Sequence, residues 1–202
     1  MNKMIRAAIA GVLLMVAASS QATVLTTNMS VDNGYVVYIS TANNVQGTAF
    51  GNAANWYTTY TNTTTLAADT TYFLHVFAYD QGGIAGLLGD FSLSGSGHKF
   101  ANGQTSLTTD ITNWMGNNSG FGNAYGAVGS LGNDGVGPWG NRPNIVDSAT
   151  WIWAGNAYDN NAAYFTTEIT AVPEPTTVAM LGLGLLALGV ARRRSAKASK
   201  QA

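Results

Sequence analysis

The sequence predicts an all-β body, an antiparallel β-sandwich or jelly roll, flanked by an N-terminal signal helix and a C-terminal transmembrane helix. Three observations carry this reading of the body. Short runs rich in β-branched and aromatic residues have a period of two. Clusters of Gly, Asn, Asp and Ser separate those runs. No stretch of the body has the ~3.6-residue period of a long amphipathic helix.

At the N-terminus, Lys3 and Arg6 precede an apolar stretch from Ala7 to Ala18, and Ser20-Gln21-Ala22 places small residues where a signal peptidase reads. This is the pattern of a secretory signal peptide over residues 1–22, cleaved after Ala22. The apolar run, twelve residues, falls short of the ~20 a spanning helix needs.

The body follows over residues 23–171, enough chain for one domain with a substantial core. Strands are expected at Tyr35–Ile39, Tyr72–Tyr79, Leu87–Leu93, Ala149–Trp153 and Ala163–Ile169. Asp32-Asn-Gly34, Gln81-Gly-Gly83 and Asn102-Gly103 supply turn chemistry between them. Tyr72–Tyr79 is apolar on both faces apart from His75, which places it centrally in a sheet covered on both sides. The glycine-rich stretch from Asn113 to Asn144, containing Trp114, Phe121, Tyr125 and Trp139, is either a functional loop or a set of short strands. Threonines crowd residues 58–71 without the fixed period of a solenoid.

The tail, residues 172–202, has three parts: Val172-Pro173-Glu174-Pro175, an uncharged run from Val178 to Ala191, and Arg192, Arg193 and Arg194. As a helix the fourteen-residue run would be roughly 21 Å long, against a bilayer core of about 30 Å. Pro173 and Pro175 enforce an extended approach. The basic cluster acts as a membrane stop and favours the cytoplasmic side, leaving the body outside.

This order of parts resembles the PEP-CTERM sorting signal of Gram-negative bacteria. The resemblance implies a membrane transpeptidase, an exosortase, as partner, with Val172, Pro173, Glu174 and Pro175 as the element it recognises. It implies a transient inner-membrane anchor, followed by transfer of the body to the cell surface or extracellular matrix. The body is similar, more loosely, to galactose-binding-like jelly rolls, through Asp32–Tyr38, Tyr72–Asp80, Gly89-Asp-Phe91, Asn102-Gly103 and Trp151-Ile-Trp153. That likeness implies a fold and carries no ligand.

The formal charge of −1 hides an asymmetry. The body holds two cations, Lys99 and Arg142, against nine carboxylates, a formal charge of −7. Such a surface argues against nucleic acid and anionic membranes as partners. With no cysteine, the body holds itself together by burial or bound ions.

No catalytic constellation is evident. The histidines are His75, read as a sheet-face or core residue, and His98, read as a surface residue; Gly95-Ser-Gly97 lacks a nucleophile elbow. The expectation is a non-enzymatic protein of a biofilm or exopolysaccharide matrix. No cofactor is expected, although Asp80, Asp90, Asp134 and Asp159 offer hard oxygen ligands to calcium. The alternative is a carbohydrate-binding module, drawn from Trp56, Tyr57, Trp114, Trp139, Trp151 and Trp153. Within that set Trp151 and Trp153 read as core. Trp139, with Arg142 close in sequence, is the candidate stacking platform.

Overall fold

The computed structural model describes residues 22–173 and 182–190. Its main unit spans Gln21–Val172 and is built of strands alone. In chain order these are β1 (Thr23–Asp32), β2 (Gly34–Ser40), β3 (Thr48–Ala53), β4 (Tyr60–Leu66), β5 (Tyr72–Tyr79), β6 (Gly86–Leu93) and β7 (His98–Phe100). Then come β8 (Ser106–Thr108), β9 (Met115–Asn117), β10 (Gly126–Ala127), β11 (Gly129–Asn133), β12 (Thr150–Trp153) and β13 (Ala162–Ala171). The expected N-terminal signal helix lies outside the described residues.

Two antiparallel sheets result. One runs β11-β12-β6-β1-β4 with β8 against β6; the other runs β10-β9-β13-β5-β2-β3 with β7 against β13. Side chains alternate across each strand, so every second residue points inward. The inner faces contribute Leu25, Met29 and Val31 from β1, Leu74, Val76 and Ala78 from β5, and Ala163, Phe165 and Ile169 from β13 to one core. Trp153 of β12 meets Phe165 of β13 edge to face at 5.7 Å, an aromatic contact from one sheet to the other.

The five expected strands are present as β2, β5, β6, β12 and β13. Strand β5 is covered on both sides: Leu74, Val76 and Ala78 are fully buried inside, while Phe121 and Tyr125 lie over His75 outside. The glycine-rich stretch resolves into β9, β10 and β11. Strand β1 was not expected, yet it lies between β6 and β4 and pairs with both.

Gly116 on β9 shows how closely the layers approach. A Cβ there would meet Ala154 Cβ at 2.9 Å, Val128 Cγ1 at 3.0 Å and Phe165 Cδ1 at 3.2 Å. Its partner Gly126 on β10 is open, with only the Gly116 carbonyl oxygen at 3.9 Å. Gly116→Ala is therefore expected to cost about 1–3 kcal/mol by overpacking, whereas Gly126→Ala should change stability by no more than about 0.5 kcal/mol. Equal midpoints for both variants in urea unfolding would refute this account of the core.

Candidate functional site

Strand β13 ends at Ala171, opposite His98 of β7. One residue further, the Val172 N–H donates to the Gly97 carbonyl at 2.9 Å. Pro173 is exposed. The folded body therefore stops where the Pro-Glu-Pro element starts. Glu174, Pro175, Arg192, Arg193 and Arg194 lie outside the described residues. Residues 182–190 form a helix with exposed side chains. Among the described residues no helix is long and apolar enough to cross a membrane, and the rest of the expected transmembrane helix lies outside them.

The aromatic candidates separate by burial. Trp151 and Trp153 are core. Trp139, expected as an exposed platform, is 2 % exposed and stacks on Trp151 at 4.3 Å. Its Nε1 donates to Asp32 Oδ2 at 2.9 Å. The reason is a second, smaller core of Leu88, Trp139, Ile145, Ala149 and Trp151: the turn-rich segment folds back on its neighbours instead of standing off in water. A ring so placed has no free face for a sugar.

Arg142 lies near Trp139, as their spacing suggested, but it acts as a clasp. Its Nη1 donates to the Trp56 carbonyl at 3.2 Å and its Nη2 to the Trp139 carbonyl, while its backbone N–H donates to Asp134 Oδ1 at 2.9 Å. The guanidinium also lies over the Trp56 ring, 5.5 Å from its centroid. Trp56 in turn stacks on Tyr57 at 3.7 Å, and Tyr57 is 69 % exposed. Ser30 Oγ holds the Trp56 carbonyl at 2.7 Å, and Asn55 Oδ1 accepts from the Tyr57 N–H at 3.0 Å. An anchored ring pair with one free face is the surface that Trp139 was expected to offer.

Both histidines are fully buried. For His98 this corrects the expectation of a surface residue. In β7 alternation turns His98 and Phe100 inward and Lys99 outward, and the His98 ring sits between Thr23 Oγ1 at 2.8 Å and the Thr70 carbonyl at 2.9 Å. His75 lies on the outer face of β5 beneath Phe121 and Tyr125, with Nδ1 3.5 Å from Tyr125 Oη and Nε2 unpartnered. Burial, the dominant cause, lowers its pKa, and burial pushes Tyr125 up to about 12.

The carboxylates mostly serve turns. Asp110 accepts from the N–H groups of Thr112 and Asn113, Asp134 from those of Gly135 and Arg142, and Asp159 from the Asn156 amide. Among the described residues no three or more His, Asp or Glu converge as metal ligands; the acids expected as calcium candidates do not form such a group.

Residues 171–194 match the PEP-CTERM protein-sorting motif. The tail is therefore a C-terminal sorting signal of a protein exported across a membrane, and it implies an exosortase as processing partner. No curated protein and no solved structure matches the chain, so the likeness to galactose-binding-like jelly rolls finds no counterpart there.

The buried neutral His75 links stability to pH. Its folded pKa lies below the ordinary ~6.5, so its contribution is whole above that value and is lost as pH falls through the folded pKa. Relative to His75→Gln, the wild type should lose unfolding free energy below about pH 6.5, with a slope no steeper than about 1.4 kcal/mol per pH unit. Parallel stability curves for the two proteins between pH 7 and about pH 5 would contradict a buried neutral ring.

Proposed function

We propose that this chain is an exported, exosortase-processed protein of the cell surface or extracellular matrix, whose body is non-enzymatic and contributes to a biofilm or exopolysaccharide matrix. The observation that carries the reading is the sorting motif joined directly to the last strand of the body. A cut beyond Val172 leaves every strand of the sandwich intact. A signal peptidase acting after Ala22 and the inner membrane before processing complete the route. Both histidines are sealed in the fold, and Asp110, Asp134 and Asp159 accept hydrogen bonds within turns, an arrangement that suits a structural role.

A second reading has its own observation. The Tyr57 ring, backed by Trp56 and Arg142, offers an apolar face for a sugar ring. Neighbouring Asn55 and Thr58 are exposed polar groups. On this reading the body binds a neutral glycan of the matrix, since a body charge of −7 repels an anionic one.

Two experiments test these readings. Replacing Pro173 and Pro175 together by Ala should leave an unprocessed, membrane-retained precursor in an exosortase-positive host; normal release would overturn the sorting role. For the glycan, Tyr57→Ala should leave the unfolding midpoint unchanged and weaken polysaccharide retention about fivefold or more, the scale of ~1–3 kcal/mol for losing a stacked ring. Retention unaffected by that change, or absent in the wild type, would discard the second reading.

A further inference from the structure

Asp32 closes β1 in one sheet, and Asp80 follows β5 in the other. The corner between them is pinned by the Asn33 N–H to the Tyr79 carbonyl at 2.7 Å and by the Asp80 N–H to the Asn161 carbonyl at 3.0 Å. Both acids are buried, Asp32 at 8 % and Asp80 at 6 % exposure. Their outward bonds are accounted for: Asp32 Oδ2 accepts from Trp139 Nε1 at 2.9 Å, and Asp80 Oδ2 caps the Gly82 N–H of its own turn at 2.9 Å. Asp80 Oδ1 is different. It is shut off from solvent and has no hydrogen-bond partner.

No cation of the body answers this pair. Lys99 is exposed on β7, and Arg142 directs its Nη donors to the carbonyls of Trp56 and Trp139. An unpartnered buried carboxylate oxygen, at a corner that holds a second buried carboxylate, is costly unless a positive charge compensates it. We propose that Asp32 and Asp80 form a cation site that takes calcium, with Asp80 Oδ1 as a ligand and neutral oxygens or water completing the shell. Calcium accepts such mixed oxygen sets, and extracellular sites of this kind bind at about 10⁻⁴–10⁻³ M. Asp32 was not among the acids singled out in the sequence. Bound there, the ion would tie one sheet to the other in a chain without cysteine.

The test is thermal unfolding of the full chain in detergent, in a chelator and in about 5 mM calcium, for the wild type, Asp80→Asn and Asp32→Asn. Calcium should raise the wild-type midpoint by about 3–6 °C. Asp80→Asn should fold in chelator with a midpoint at or above that of the wild type, because repulsion is relieved, and should not respond to calcium. No calcium shift in the wild type would overturn the site, as would an equal shift in both variants. A wild-type midpoint that rises on acidification and ignores calcium would assign the pair a shared proton, which also overturns it.

Discussion

Strand β13 pairs with β5 along Ala162–Ile169 on one side and with β9 and β7 on the other, and this pairing governs where the remaining elements can lie. Its inward residues Ala163, Phe165 and Ile169 fill the middle of the sandwich. Its outward Tyr164 packs against Phe77 at 5.0 Å and against Phe121 at 4.9 Å. One strand thereby joins the inner core to the aromatic cover on the opposite face. A cysteine-free chain depends on such shared burial because no covalent staple limits its unfolded state.

The glycine-rich segment is part of this architecture. Its first half forms β9 and β10 and brings Phe121 and Tyr125 over β5. Its second half carries Trp139 back against Trp151 and lets Arg142 reach the Trp56 carbonyl. Small residues permit the close approach, and the embedded aromatics supply the apolar area. The surface that remains available at this end is Tyr57, held from behind by the same clasp.

What the sequence disclosed follows from which information is local. The tail was legible because a sorting signal is linear: residue types in order suffice. Strand β5 was legible because its β-rich run is bounded by Asp80 and Gly82 on one side and polar residues on the other. Strand β1 was hidden because Thr23 and Thr27 occupy inward positions, so the apolar alternation breaks. Trp139 misled because Gly, Pro and Asn around it describe a local turn, whereas its burial depends on Trp151 and Asp32, distant in sequence. His98 likewise depends on Thr23 and Thr70, neither of which its own three-residue strand reveals. Among the ring candidates, exposure of Tyr57 and burial of Trp139 became distinguishable only with the tertiary fold.

The place of β13 in the chain has a temporal consequence. Among the described residues it is the last strand in sequence, and it lies between β9 and β5 in its sheet. A polypeptide emerging N-terminus first cannot complete that sheet until Ala171 is available. Until then β5 has an empty edge and the inner residues of the opposite sheet lack Phe165. Closure of the body is thus a late, long-range event, of the slow kind expected when distant segments must pair. The residues that finish the fold directly precede the motif that addresses it, so the domain cannot be completed before the segment that joins it to its address is available.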